Sequence, residues 1–175
     1  MPHKQILEYG IIGLGRFGTA LAQTLADAGK EVLVLDNNES KIINIRDQIE
    51  NAFVITSLEK ESLEDVGIHN CNIVIVCIGK SIDVSILTTL RVISMGVPRV
   101  IAKAYSYEQG IILEKIGAEV IYPEHEMGVR LAKNLIGYNA LESIELKEDV
   151  AILEYNLTEK MANKTVEQSD LRKKY

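Results

Sequence analysis

Apolar runs of strand length alternate along this chain with segments whose apolar residues recur at helical spacing. The runs near 8–12, 32–36, 52–56, 72–78, 99–104 and 119–122 are predicted strands. Six helical stretches fall between and after them, the last following Pro123. Several strands are apolar on both sides, as in Ile73-Val74-Ile75-Val76-Cys77-Ile78, a pattern expected only where helices cover both faces of a parallel sheet. The predicted fold class is therefore α/β, a Rossmann-like doubly wound parallel sheet of order 3-2-1-4-5-6. Right-handed crossovers and the switch between strands 1 and 4 place its ligand crevice at the strand C-terminal ends.

The helix predicted from about 124 to 136 presents more apolar surface than one sheet-facing stripe needs. Met127, Leu131 and Leu135 form the stripe, and Val129, Ala132 and Ile136 widen it. Two readings stay open: packing on its own sheet, or crossing to a second subunit, with Gly128 and Gly137 permitting close approach or a sharp end. After Gly137 the character changes. Tyr138-Asn139-Ala140 reads as a connector, Ile144-Glu145-Leu146 and Val150-Ala151-Ile152-Leu153 read as short strands, and the charged stretch Asp170 to Tyr175 follows. The expected organisation is a first domain over 1–138, including this last helix, and the beginning of a truncated C-terminal lobe over 139–175. A disordered extension is the plainer reading of the tail.

Composition narrows the partners. The 175 residues carry 19 basic and 25 acidic side chains, a net charge of −6, and no stretch groups Lys and Arg with interleaved aromatics, so nucleic acid is not an expected ligand. The longest uncharged apolar run, Ile73 to Gly79, is far short of the roughly 20 residues a membrane helix needs, and the N-terminus lacks a secretory pattern. A soluble, cytoplasmic chain with no direct membrane insertion is expected. Cys71 and Cys77 show neither metal-ligand nor CxxC spacing and read as reduced thiols, Cys77 as a buried one.

The chemistry concentrates at Gly13-Leu14-Gly15-Arg16-Phe17-Gly18, which follows the first predicted strand and opens the first predicted helix. Glycines there permit a tight turn and close backbone approach, so the first amides of the helix can face a pyrophosphate. Asp36, eighteen residues beyond Gly18, closes the next strand. It can accept hydrogen bonds from ribose hydroxyls and repel a 2'-phosphate, favouring NAD(H) or an adenine nucleotide over NADP(H). Arg16 can pair with a terminal phosphate or a neighbouring subunit, a solvated loop arginine being the plainer alternative.

Catalytic groups are not visible in the sequence. His3, His69 and His125 read as solvated or capping residues, Tyr105 and Tyr107 form no Tyr-x-x-x-Lys pair, and no GxSxG, HExxH or GxxxxGK[ST] pattern occurs. A nucleotide site without a reaction points to sensing, in which a ligand binds two conformations unequally; a tenfold preference shifts the equilibrium by about 1.4 kcal/mol. The alternative is an NAD-dependent oxidoreductase whose catalytic domain is missing from this chain. A sensor of the NADH to NAD ratio is a third reading.

GLGRFG, Asp36, Ile73 to Gly79, Leu87-Thr88-Thr89-Leu90, Lys103-Ala104, Leu113 to Ala118 and Tyr122 to Gly128, in that order and spacing, resemble the regulator-of-potassium-conductance family. Within it the chain is similar to the cytosolic nucleotide-binding subunits of Ktr/Trk-type potassium uptake systems. The resemblance spans about residues 6–155. It implies a Rossmann-like lobe, a crossover helix and a smaller C-terminal lobe, pairing as a homodimer that assembles into an octameric ring beneath a membrane potassium channel or transporter subunit. It implies ATP, ADP, NAD or NADH as ligand. By position, Gly13, Gly15 and Gly18 would hold phosphates, with Arg16 at a terminal phosphate and Phe17 beside them. Asp36 and Asn37 would lie at the ribose, Ile78 and Gly79 would line the pocket by backbone, and Lys103 would stand at the tip of strand 5. Glu124 would help bind a cation at a subunit interface, or cap its helix. The third strand ends in Ile55-Thr56-Ser57-Leu58 where the family often has a Gly-Asp-Ala-Thr-like motif, so Thr56 and Ser57 would frame the adenosine with fewer hydrogen bonds.

Overall fold

The computed structural model describes residues 7–79, 81–135, 140–146, 150–155, 164, 165 and 168. The chain divides into two compact units, Met1–Pro123 and Glu124–Tyr175. The first is built from β1 (Tyr9–Ile12), α1 (Arg16–Asp27), β2 (Val32–Asp36), α2 (Glu39–Ile45), β3 (Asn51–Val54) and α3 (Lys60–Asp65), followed by a 3-10 turn at Ile68–Asn70. It continues through β4 (Ile73–Val76), α4 (Ile82–Ser94), β5 (Arg99–Lys103), α5 (Tyr107–Lys115) and β6 (Glu119–Ile121). The six strands pair in parallel in the order β3-β2-β1-β4-β5-β6, the order the alternation predicts.

Period-2 side-chain alternation divides the apolar strands between two cores. Ile12, Leu33, Leu35, Val74 and Val76 point to one face, where Leu63 of α3, Val92 of α4 and Leu113 of α5 cover them. Ile11, Val32, Val34 and Ile75 point to the other, against Ala22 of α1 and Ile42 and Ile45 of α2. The handedness of the crossovers explains the split: connections on one side of the β1–β4 switch lay helices on one face, and those beyond it lay them on the other. Ile11, Val34, Leu35, Val74 and Val76 are fully buried, so the centre of the sheet is a rigid platform whose strand ends aim the loops above it.

A polar cross-link joins α4 to α5 inside the first core. Gln109, 1% exposed, donates through Nε2 to Ser85 Oγ at 3.1 Å and accepts at Oε1 from the Tyr105 amide at 2.8 Å. Its own amide donates to Ser106 Oγ, the N-cap of α5. A buried carboxamide with both ends satisfied stabilises, whereas the same group unpaired would cost about 1–3 kcal/mol.

In the second unit, α6 (Pro123–Leu135) is followed by β7 (Ala140–Leu146) and β8 (Val150–Tyr155), which pair antiparallel with Ile144 opposite Ile152 and Leu146 opposite Val150. Both short strands expected there form, each longer than the apolar alternation alone marks. Met127, Leu131 and Leu135 of α6 are exposed. The connector at 138–139 and the charged stretch 170–175 lie outside the described residues.

Candidate nucleotide site

The glycine loop is shaped by contacts that side chains would obstruct. Gly13 leaves β1 with φ +102°, a left-handed conformation natural to glycine, while its amide donates to Leu35 O at 2.7 Å. A Cβ on Gly13 would lie 3.3 Å from the Cys77 carbonyl group, and one on Gly18 would collide with the Gly13 carbonyl oxygen. Those two glycines are required by packing. Gly15 differs: apart from its chain neighbours, no atom of the described residues lies within 4 Å of where its Cβ would be, so its side opens onto the space in front of the loop.

That space faces the start of α1. Gly15 is the N-cap, no side chain caps the helix, and its first turn holds no carboxylate. No acid within the helix's own first turn offsets the partial positive charge of the helix end, and the first-turn amides are available to an anion. Arg16 begins the helix as an exposed residue, and Phe17, half-buried, packs into the core below α1.

Asp36 stands at the end of β2 with 6% of its surface exposed. Its Oδ2 accepts from the Leu14 amide at 2.6 Å and its Oδ1 from the Asn38 amide at 2.8 Å. Lys41 Nζ donates to both oxygens, at 3.0 Å to Oδ2 and 3.2 Å to Oδ1. Burial alone would push this carboxyl up, but the Asn38 amide, the Lys41 ammonium and the Leu14 amide together outweigh it and hold Asp36 below the ordinary carboxylate value. The carboxylate thus ties the glycine loop to the β2–α2 turn. Asn37 is exposed in that turn.

The neighbouring strand ends complete the crevice. Ile55 N donates to Asp36 O at 3.0 Å, which sets Thr56, exposed, and Ser57, half-buried, just beyond Asp36. Ser57 Oγ accepts from the Glu59 amide. Past β4, Ile78 packs partly into the core and Gly79 lies beside Lys103, whose Nζ would be 3.9 Å from a Cβ at Gly79. Burial pushes the Cys77 thiol up to about 12 against the opposing pull of Lys103, so this cysteine is an inert wall. The structure brings Gly13, Gly15, Arg16, Phe17, Gly18, Asp36, Asn37, Thr56, Ser57, Ile78, Gly79 and Lys103 to the C-terminal ends of β1 to β5. Glu124, the second residue of α6, belongs to the second unit and is exposed. Among the described residues no group of three or more His, Cys, Asp or Glu is arranged to hold a metal.

Two partners escape the sequence reading. Lys41 is one, although Asn38 carries a signal for it: Asn38 Oδ1 caps α2 by accepting from the Lys41 amide, so an asparagine two residues after the aspartate places a lysine one turn away from it. Arg91 is the other. From α4 it donates to Leu58 O at 3.1 Å and to Glu59 Oε2 at 2.6 Å, pinning the segment that carries Thr56 and Ser57.

Comparison with known proteins agrees with this fold. The TrkA-N domain model matches residues 9–123. The chain is 37% identical over 169 residues to Ktr system potassium uptake protein A of Bacillus subtilis (strain 168), covering 96% of this chain and 76% of that protein. The TrkA-N domain of the inner membrane protein ybaL from Escherichia coli superposes with a TM-score of 0.67 at 16% identity, covering 75% of this chain and 98% of that one. The GsuK channel bound to NAD superposes with a TM-score of 0.61 at 18% identity over 83% of this chain and 26% of that one, and GsuK bound to ADP with 0.59 at 23% over 77% and 35%. These structural likenesses speak to the fold, and the sequence matches to descent: the chain belongs to the TrkA-N domain family, alongside components of Ktr potassium uptake systems.

Proposed function

We propose that this chain is a nucleotide-sensing regulatory subunit of a membrane potassium channel or transporter. The observation that carries the reading is the joined loop and carboxylate: an uncapped helix start behind the open Gly15, tied through the Leu14 amide to Asp36. An adenine nucleotide or NAD(H) fits that arrangement, with its diphosphate over the first turn of α1 and its ribose at Asp36. GsuK structures carry ADP or NAD, and the same ligand class is proposed here, with Arg16 reading a terminal phosphate and Thr56, Ser57, Ile78, Gly79 and Lys103 lining the remainder.

The ligand would act by favouring one of two conformations, transmitted through a homodimer and a ring, octameric by family resemblance, to the membrane partner. The exposed Met127, Leu131 and Leu135 stripe of α6 supports pairing through that helix. In this reading residues 1–138 form the nucleotide-binding domain with its crossover helix, residues 139–175 open the C-terminal lobe, and Glu124 contributes to a cation site completed by a second subunit. Among the described residues no helix is long and apolar enough to cross a membrane; by likeness to the Ktr uptake components the proposed location is cytoplasmic, at the inner face of the membrane through the transport partner.

The position of His69 favours sensing over hydride transfer: it precedes β4, at the opposite end of the sheet from the crevice. Calorimetry with ATP, ADP, NADH and NAD tests the proposal. Saturable binding that Asp36→Ala weakens by about 100-fold, as two lost charged hydrogen bonds would, is expected. Undiminished binding by that variant, or steady NADH oxidation with any carbonyl substrate, would refute it.

A further inference from the structure

Resting on the nucleotide reading of this site, the lone-pair count at Asp36 raises a question that the fold leaves open. A carboxylate offers about four acceptor positions. The Leu14 and Asn38 amides take one on each oxygen, and Lys41 Nζ lies within hydrogen-bond distance of both. The two amides are fixed by the loop and the turn. Only Lys41 can leave: its side chain is 43% exposed while that of Asp36 is 5% exposed, and it reaches back from the first turn of α2 on a flexible four-carbon stem.

We infer that Lys41 is a specificity-determining residue that competes with the ribose hydroxyls for Asp36 and, once displaced, offers its ammonium to a substituent at the ribose 2'-position. A lone aspartate at this place rejects a 2'-phosphate by like charge. Paired with Lys41 it is electrically neutral as a unit, and the displaced cation stays tethered near the ribose edge, where a 2'-phosphate can accept from it. The ligand class is therefore broader than Asp36 alone would dictate: nucleotides with a free 2',3'-diol meet a competitor, and 2'-phosphorylated dinucleotides meet a partner. The Asn38 cap supports this assignment, because it holds the Lys41 backbone in the first turn of α2 and confines the ammonium's excursions to the neighbourhood of Asp36.

The test compares NADH and NADPH binding by calorimetry to the wild-type chain, Lys41→Met and Lys41→Arg. Lys41→Met is expected to bind NADH more tightly and NADPH more weakly, shifting the ratio of the two dissociation constants by at least about tenfold, the size of one charged hydrogen bond. Lys41→Arg is expected to restore NADPH binding. A parallel loss of both ligands in Lys41→Met would mean that the lysine only aims the carboxylate, and unchanged affinities would mean that it does nothing for binding; either overturns the inference while leaving the nucleotide site intact. Failure of the wild-type chain to bind NADH, NADPH or ADP would overturn the site reading and this inference together.

Discussion

Two carboxylates on the same sheet, Asp36 at the end of β2 and Glu119 at the start of β6, each meet a basic side chain and each titrate below their ordinary values, yet they do different work. Glu119 is joined to Arg99 by two 2.7 Å hydrogen bonds across the β5–β6 edge, and both side chains are about half exposed. The arginine's hydrogen bonds and charge lower Glu119, but water and salt surround the pair and dilute its contribution. Asp36 is buried, and backbone amides as well as a lysine converge on it. One pair decorates an edge; the other fixes the conformation of two loops. Ion-pair geometry alone does not separate them, since the shorter distances belong to the pair that matters less. What separates them is whether other groups lose a partner when the acid is removed.

The harshest way to break the contrast is to attack the loop that Asp36 holds. Gly18→Ala places a methyl on the Gly13 carbonyl, where only backbone can yield, and should destabilise the fold by about 3 kcal/mol or more, as overpacking a core does. Gly15→Ala meets no obstructing neighbour among the described residues and, apart from the modest cost of alanine at an N-cap, should disturb urea unfolding far less than Gly18→Ala while reducing nucleotide affinity. Asp36→Ala comes next. It strips an acceptor from two amides and should cost about 2–3 kcal/mol, again read by urea denaturation.

Acid sharpens the comparison further. Because the folded-state value of Asp36 is lowered from about 3.8, its contribution is present above that pH and disappears as the pH falls through the lower folded value. Asp36→Asn should flatten this acid limb of the stability curve, and added salt should not erase the difference from wild type. Glu119 is lowered from about 4.5, so its contribution has the same sign and is likewise lost toward acid pH. Glu119→Gln should remove only a small, salt-sensitive part. At neutral pH and high salt it should give no resolvable shift in the unfolding midpoint, the smallest effect of the series.

The sheet was legible because its strands are apolar on both faces, and burial on both faces leaves few architectures. Strand lengths were less legible. The run 72–78 contains a ladder of only Ile73–Val76, and Cys77 is buried because it passes beneath the glycine loop, where its amide bonds to Ile12 O. Ile55 behaves likewise beyond β3. Apolar character reports burial, and at a crevice floor buried loop residues look like strand. Among the site residues, glycines and Asp36 announced themselves because their backbone duties restrict residue type. Lys41 and Arg91 did not, because a long charged side chain shows no periodicity that reveals where its tip will rest, and most such tips rest in water.

The glutamine strut between α4 and α5 bears on how these two helices can move. Since the Gln109 carboxamide is engaged at both ends, sliding one helix past the other would strand a dehydrated amide or hydroxyl. If the proposed regulation holds, the two helices would shift together more readily than past one another, with the bending left to the flanking loops.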